Sequence, residues 1–329
     1  AGERVTKAEI QVLETLGLLE GNKFDKMLFL GACMVGVLSL MALYFYMLRF
    51  APEVLRQPRI MLMLSVIFSA TALITYFSSK LNPYFVPIAV VPLLVTALIS
   101  PSFALAANLI ALVLIGVVSD STTLSSSQQI LSILFSGIVS APAGVFIMRR
   151  NQQRVIVFFA GSVMAVINVA GMLCVGLLTN NNISGVLNGA LWCGGGTFLS
   201  AVLCIAFQPL LETMFNLVTP YKLLELANPN QPLLRRLLVE TPGTYHHSIM
   251  VANLAEAAAE AIGANPLLAR VAAYYHDIGK LKRPLYFKEN QVGENPHDHT
   301  DPRVSAAILI EHVRDGVQLL ALDCMATPD

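Results

Sequence analysis

Residues His276 to Lys280, with the sequence His-Asp-Ile-Gly-Lys, place an imidazole, a carboxylate and an ammonium group within about one helical turn. Neutral imidazole nitrogens and carboxylate oxygens are ligands for divalent transition metals. A nearby cation can neutralise the charge of a phosphate group. This combination of side chains suits a metal-assisted phosphohydrolase.

Helix start and stop signals define the elements that position these residues. Asn265-Pro266 and Asp301-Pro302 each join a capping side chain to a proline at the first helical position, and Gly263 is a stop signal. We predict helices over about 245–262 and 266–281, and a third that begins at Pro302. The region from about Val239 is therefore expected to be all-helical.

Helical spacing predicts which histidines face a shared interior. His247 lies on an apolar face with Val251, Leu254, Ala258 and Ile262, whereas His246 lies among polar residues, so we expect His247 to point inward. His276 and His312 belong to the second and third predicted helices. Each histidine alone is compatible with a hydrogen-bonded core residue, but together with Asp277 they predict a metal site, since a metal satisfies one nitrogen of a buried imidazole.

Two further groups have two possible roles. Lys280, one turn beyond His276, can neutralise charge on phosphate oxygens or can be a solvated cation at a helix end. His297, Asp298 and His299 lie in a loop bounded by prolines, and they either line the entrance for a substrate or simply keep the loop solvated.

The composition predicts a membrane protein, because 55% of the residues are hydrophobic, 13% are charged and the mean hydropathy is +0.65. The 21 basic and 21 acidic residues balance, so no bulk charge recruits a nucleic-acid polymer. Long uncharged runs must cross the bilayer as helices. We predict a seven-helix transmembrane bundle with spans over about 26–48, 60–79, 84–99, 102–118, 127–148, 155–178 and 185–208. The pair 84–99 and 102–118 is short, and a re-entrant or broken arrangement stays open there.

The distribution of arginines predicts the orientation and the domains. One set of loops contains six arginines (Arg49, Arg56, Arg59, Arg149, Arg150 and Arg154), and the other contains Lys80 and Asp120. The arginine-bearing loops are expected in the cytoplasm. We therefore expect residues 1–25, with an amphipathic helix pattern from Glu3 to Leu19, to be the tail of an extracellular domain. Residues 26–208 would form the membrane domain, 209–238 a juxtamembrane connector and 239–329 a cytosolic domain.

Four motifs carry a resemblance to a known family. They are Gly-Thr-Tyr-His-His-Ser at 243–248, His-Asp-Ile-Gly-Lys at 276–280, Asn-Pro-His-Asp at 295–298 and His-Val-Arg-Asp-Gly at 312–316. They resemble the HD superfamily of metal-dependent phosphohydrolases. With seven predicted spans before it, the chain is similar to seven-transmembrane receptors with an intracellular HD hydrolase domain, whose characterised members are cyclic di-AMP phosphodiesterases. The likeness covers essentially the whole chain.

The resemblance implies a role for each site residue. His247, His276 and Asp277 would bind one metal ion, and Asp277 would bridge to a second ion that His312 binds. Asp277 and Lys280 would be catalytic, with Lys280 and His297 binding substrate. The implied cofactor is iron or manganese, as two ions in the complete domain, and the implied substrate is a cyclic dinucleotide. Other expected partners are the lipid bilayer and an unknown extracellular ligand, and a homodimer stays open.

The resemblance also predicts an incomplete site. The family pattern has an adjacent histidine pair and a later aspartate well downstream of His312, whereas this chain stops at Asp329. We therefore expect a fragment that lacks parts at both ends, binds metal poorly and turns over little. Two alternatives are a non-catalytic seven-helix receptor and a transporter, each with a nucleotide-sensing HD-like domain.

Overall fold

The computed structural model describes residues 6, 10, 26–120, 127–150, 155–179 and 182–326. The predicted extracellular tail, with its amphipathic pattern from Glu3 to Leu19, lies outside the described residues except for Thr6 and Ile10. The loop with Arg154 and the chain end at Asp329 lie outside them as well. Every regular element in the described ranges is a helix, which confirms the all-α prediction.

The first two thirds of the chain contain eight described helices, six of which are long and apolar enough to cross a membrane. The six are α1 (Lys26–Phe50), α3 (Pro58–Ser79), α5 (Pro101–Asp120), α6 (Ser127–Arg150), α7 (Val155–Leu178) and α8 (Ile183–Met214). The two short ones are α2 (Pro52–Arg56) and α4 (Val90–Leu98). A helix of about 20 residues spans the hydrocarbon core, so these six have the required length.

The expected span over 84–99 forms a helix only in its second half, which is α4. Pro87 disfavours a helical conformation in the residue before it, and Pro92 is compatible with the first turn of α4. Nine residues of helix reach only about 14 Å, roughly half of the hydrocarbon thickness. Residues 86–98 are buried except for the half-buried Thr96. Irregular backbone is tolerated at membrane depth when protein covers it in this way.

The start of this broken segment contacts the first turn of α6. At its start, Gln129 in the first turn of α6 donates a hydrogen bond to the Pro83 carbonyl at 2.9 Å. Helix α5, which follows the segment, runs antiparallel to α6, because Gly116 faces Ile130 and Asn108 donates to the Gly137 carbonyl. The broken alternative describes this pair of segments better than two complete helices.

Two compact units make up the described chain. The first covers the described residues within Ala1–Pro92, Ser102–Pro142 and Met164–Ser200. Its core contains Val86, Ile88, Leu112, Ile115, Ile133 and Cys193. Gly196 is required here, because a Cβ atom on it would lie 2.7 Å from the Val86 carbonyl oxygen. Asn168 donates to Thr197 at 2.7 Å, so this buried polar residue connects two helices.

The second unit covers Leu93–Pro101, Ala143–Val163 and the described residues from Ala201 onward. Its helices after the last span are α9 (Pro220–Leu226), α10 (Pro232–Glu240), α11 (Pro242–Ala261), α12 (Pro266–Tyr275) and α13 (Pro302–Ala326). Four short 3₁₀ helices lie between α12 and α13: η1 (Ile278–Lys282), η2 (Pro284–Tyr286), η3 (Lys288–Asn290) and η4 (Pro296–His299).

The predicted helix starts are confirmed by their caps. Asn265 accepts a hydrogen bond from the Leu268 amide at 3.0 Å, and Asp301 accepts one from the Arg303 amide at 2.8 Å. The prediction of one continuous helix over 266–281 is wrong, because α12 ends at Tyr275 and the chain continues as η1. This break turns the backbone at the residues of greatest chemical interest.

The expectation that the apolar face of His247 is buried is also wrong. Leu254 and Ile262 on that face are 70% and 81% exposed. Helix α11 instead buries a narrow stripe of small residues, Thr244, Ser248, Ala252 and Ala259. Small side chains let α11 approach α12 closely, and Ala252 packs against Ala273 and Tyr274 there.

Candidate metal centre

The carboxylate of Asp277 lies at the centre of the candidate site. Asp277 occupies the turn between α12 and η1 and is only 5% exposed. Its Oδ2 lies 3.3 Å from Nε2 of His276 and 3.9 Å from Nε2 of His247. Its Oδ1 lies 3.4 Å from Nε2 of His312. The structure thus brings together all four residues for which we predicted metal ligation, from α11, the turn after α12, and α13.

The second nitrogens of two imidazoles are held by the backbone. Nδ1 of His276 lies 2.7 Å from the Ala273 carbonyl, and Nδ1 of His312 lies 2.6 Å from the Leu309 carbonyl. Because a carbonyl only accepts hydrogen bonds, each Nδ1 carries a proton, and in the tautomer with this proton alone Nε2 has a lone pair for a metal. This arrangement is typical of histidines that bind metals.

The donor set fits a divalent cation. Ligand atoms of His247, His276 and Asp277 all lie within 4.8 Å of one another. Imidazole nitrogens and carboxylate oxygens at this spacing can bind one divalent transition metal together. The two oxygens of Asp277 face different imidazoles, with His247 and His276 on the Oδ2 side and His312 on the Oδ1 side. A carboxylate in this position can bind one ion or bridge two.

Lys280 lies between two carboxylates. Its Nζ is 2.7 Å from Oδ2 of Asp277 and 2.6 Å from Oε1 of Glu289, and it lies 5.0 Å from the centre of the Phe287 ring. Partial burial lowers the pKa of Lys280, but the hydrogen bonds and negative charges of Asp277 and Glu289 outweigh it, so the net shift of this pKa is upward. Lys280 is therefore charged at neutral pH and is not a freely solvated helix-end cation.

The position of His312 depends on close backbone contact between η1 and α13. A Cβ atom on Gly279 would overlap the His312 carbonyl and the Gly316 amide nitrogen. Lys282, also on η1, forms an ion pair with Asp315 at 2.7 Å. Gly279 thus lets α13 approach closely enough for His312 to reach Asp277.

The contacts described for His297 lie with η2 and not with the metal cluster. Its Nε2 is 2.8 Å from the Tyr286 carbonyl, and its ring packs edge-on against that of Tyr286. The neighbouring His299 faces Glu294 at 3.9 Å, with both side chains highly exposed. These contacts give His297 a role in holding the loop, and its predicted contact with substrate stays a prediction.

We therefore expect His297→Ala to change stability more than metal affinity. Loss of a side-chain contact to a carbonyl costs about 1 kcal/mol, so the melting temperature should fall while Mn²⁺ affinity stays within about 2-fold. Differential scanning fluorimetry and a Mn²⁺ titration measure the two effects. A large rise in KM with unchanged stability would instead assign His297 to substrate binding.

Four supporting residues were missed by the sequence analysis: Thr244, Phe287, Glu289 and Asn290. Phe287 packs edge-on against the His312 ring at 5.6 Å. Asn290 holds the start of α11 through the Thr244 amide at 3.0 Å and the Thr244 hydroxyl at 2.7 Å. Three of the four lie at or next to η3, an irregular stretch in which no helical periodicity marks the side that faces the site.

Comparison with known proteins yields matches over both halves of the chain. A family described as 7TM receptor with intracellular HD hydrolase matches residues 27–219, and the family described as HD domain matches residues 244–324. The cyclic-di-AMP phosphodiesterase PgpH of Bacillus subtilis (strain 168) is 37% identical over 317 residues, which cover 94% of this chain and 44% of that protein.

Two further similar proteins come from Listeria monocytogenes. The cyclic-di-AMP phosphodiesterase PgpH of serotype 1/2a (strain 10403S) is 38% identical over 247 residues, which cover 74% of this chain and 33% of that protein. A crystal structure of the L. monocytogenes PgpH HD domain in complex with cyclic-di-AMP is 58% identical, covers 29% of this chain and 45% of that chain, and has a TM-score of 0.28. The chain spans less than half the length of the two phosphodiesterases it matches.

Proposed function

Because this chain belongs to the family of seven-transmembrane receptors with an intracellular HD hydrolase domain, we propose that it acts as a membrane-bound phosphodiesterase on cyclic di-AMP. The chain is a multi-pass membrane protein with an all-α HD domain. The proposed reaction is metal-dependent hydrolysis of the cyclic dinucleotide to the linear dinucleotide.

The observation that carries this proposal is the contact of both Asp277 oxygens with imidazole nitrogens. His247, His276 and Asp277 would hold one ion, and Asp277 with His312 would hold another. Mixed imidazole and carboxylate ligation suits iron or manganese. Such ions, when bound, activate water as a nucleophile and neutralise charge on a phosphodiester.

The remaining chemistry falls to residues of the chain itself. The Lys280 ammonium is charged and lies against Asp277, so it can donate a hydrogen bond to an anionic phosphate oxygen at the same place. The Nδ1 contacts of His276 and His312 hold both rings in a fixed orientation, so their ligating nitrogens need no reorganisation.

The proposed activity is tested by incubating the protein, as its gene encodes it, with cyclic di-AMP, cyclic di-GMP or a linear dinucleotide in the presence of Mn²⁺. Chromatography of the products should show the linear dinucleotide formed fastest from cyclic di-AMP. If nucleotide binds but no product forms with any metal, the protein is a non-catalytic sensor and the proposal is wrong.

We further propose that the amino-terminal side of α1 faces outward and that the HD domain lies in the cytosol. The broken segment counts as a crossing, which makes seven, and arginines such as Arg49 and Arg149 then share the cytosolic side while Lys80 lies outside. In a background with the natural cysteines replaced by serine, Lys80→Cys should react with an impermeant maleimide in intact cells. Arg149→Cys should react only after lysis, and the reverse result would contradict this orientation.

We also propose that the membrane domain controls the site through the connector. At the end of α8, the buried Glu212 accepts hydrogen bonds from Gln208 at 2.9 Å and from Thr219 at 3.0 Å. Thr219 caps α9, and at the other end of α9 the Leu226 carbonyl accepts a hydrogen bond from the Tyr275 hydroxyl at 2.9 Å. Tyr275 directly precedes His276, so a continuous series of contacts joins the last membrane helix to the metal ligands.

Tyr275→Phe should therefore lower activity even though it removes a single oxygen. A lost hydrogen bond is worth about 1 kcal/mol, which corresponds to roughly a 5-fold decrease in turnover if the contact positions His276. Tyr274→Phe is the matched control, because the Tyr274 hydroxyl accepts a hydrogen bond from Arg270 and does not contact the connector in any described interaction. Equal turnover in both variants, measured at saturating Mn²⁺, would contradict the proposed coupling.

A further inference from the structure

Residues 287–290, which are Phe287 and η3, form a support segment that contacts three parts of the site. Phe287 lies under the Lys280 ammonium and against the His312 ring. Glu289 contacts Lys280, and Asn290 holds the start of α11 through Thr244. This support segment is therefore connected to the cation of the site, to one imidazole and to the helix that carries another.

Glu289 is the charged member of this segment and is held in place. Its Oε1 accepts hydrogen bonds from Lys280 at 2.6 Å and from the Thr244 hydroxyl at 3.2 Å. The Thr244 hydroxyl is in turn fixed by Asn290. Burial raises the pKa of Glu289, but the contact with Lys280, a backbone hydrogen bond and Thr244 outweigh it, and the net shift of this pKa is downward. Glu289 is thus a carboxylate at neutral pH.

The two carboxylates share one ammonium group. Nζ of Lys280 lies at nearly equal distances from Asp277 and Glu289, 2.7 Å and 2.6 Å. A lysine with Asp277 as its sole carboxylate partner would neutralise the oxygen that faces His247 and His276. That ammonium would compete directly with a metal cation for the same oxygen. A second carboxylate that shares the ammonium would reduce this competition.

We propose that Glu289 is a positioning residue, whose carboxylate shares the Lys280 ammonium with Asp277 so that Asp277 can bind a cation while Lys280 stays within reach of substrate. The part that concerns substrate rests on the proposed phosphodiesterase function. The part that concerns the cation does not, because it follows from the charges and distances of three side chains.

The test is a double-mutant cycle on Mn²⁺ affinity, measured by electron paramagnetic resonance of free Mn²⁺ in the protein as its gene encodes it. Glu289→Gln keeps the shape of the side chain and removes its charge. We expect it to weaken Mn²⁺ binding by about 10-fold, as supporting residues of metal sites typically do. In the Lys280→Met background, the same change should weaken binding by less than about 2-fold, because the competing ammonium is gone.

Two controls separate positioning from folding. Glu289→Asp keeps the charge and should keep Mn²⁺ affinity within about 3-fold of the natural protein. Glu294→Gln removes a carboxylate from the same stretch at a side chain that is 94% exposed, and it should have no effect on affinity. An equal loss on Glu289→Gln in both backgrounds, or no loss in either, would overturn the proposal. If Glu289→Gln does not fold, Glu289→Ala takes its place in the cycle, and an equal loss in both backgrounds would again overturn the proposal.

Activity gives a second readout. At saturating Mn²⁺, Glu289→Gln should raise KM for cyclic di-AMP by about 10-fold and keep kcat within about 3-fold. The reason is that a displaced Lys280 loses a contact with the substrate that is equally strong in the ground state and in the transition state. A fall in kcat alone would contradict a positioning role. If the natural protein hydrolyses no cyclic dinucleotide, the proposed function fails, but the cycle on Mn²⁺ affinity still tests the role of Glu289.

Discussion

Asp277→Asn is expected to abolish binding of Mn²⁺ and to lower hydrolysis of cyclic di-AMP by on the order of 10³-fold or more, well beyond the loss typical of supporting residues. Both oxygens of Asp277 face imidazole nitrogens, and one of them also contacts Lys280. An amide carries no charge and has one oxygen, so it cannot act as an anionic ligand on both the His276 side and the His312 side. Mn²⁺ titration and product chromatography measure the two losses.

Asp298→Asn is the matched control for this change. Asp298 is an exposed aspartate on η4, so the same chemical change there should leave Mn²⁺ affinity within about 2-fold. If Asp277→Asn bound Mn²⁺ within about 3-fold of the natural protein while remaining folded, the assignment of Asp277 as the central ligand would be wrong.

Gly279→Ala is expected to have the second large effect, through the contact of η1 with α13. The added methyl group would overlap the His312 carbonyl and the Gly316 amide. Backbone atoms cannot move aside as a flexible side chain can, so we expect a loss of about 1–3 kcal/mol or more in stability. The melting temperature should fall, and turnover should fall by at least about 100-fold, because α13 can no longer hold His312 at Asp277.

Gly185→Ala controls for the intrinsic effect of replacing glycine in this protein. Nothing lies within 4 Å of a Cβ atom on Gly185, which is in helix α8. Since alanine favours a helix over glycine, this variant should be as stable as the natural protein or more so. Unchanged melting and turnover in Gly279→Ala would show that the close contact between η1 and α13 does not exist in solution.

Local signals in the sequence were sufficient to locate the helices. The caps at Asn265 and Asp301 involve residues that are adjacent in the sequence, and they correctly predicted two helix starts. The long uncharged runs correctly predicted the six helices that can cross a membrane. The second segment of the pair, 102–118, is helical as expected, but the first, 84–99, is helical only over α4. Its prolines mark the break, whereas its burial depends on helices far away in the sequence.

The sequence predicted which imidazoles and which carboxylate would lie together, but it did not predict the residues that support them. The spacing of His276, Asp277 and Lys280 follows from one turn of chain, and His247 approaches Asp277 although its helix face is largely exposed. The pairing of Lys280 with Glu289 requires the irregular chain between them to fold back. Such a contact has no periodic signal, so the sequence indicated a phosphate-facing lysine and missed the second carboxylate.

The weak metal binding and low turnover expected for this chain stay predictions. The described cluster supplies three imidazoles and one carboxylate. A Mn²⁺ titration of the four-residue cluster, compared with the Asp277→Asn variant, measures the affinity that these residues provide.

We propose that ions held by His247, His276, Asp277 and His312 are required for hydrolysis of cyclic di-AMP. The most direct measurement is formation of the linear dinucleotide by the gene-encoded protein before chelation, after removal of metal by a chelator, and after readdition of Mn²⁺ or iron. We predict that product formation stops on chelation and returns with either metal. Undiminished product formation in the metal-free protein would contradict this account.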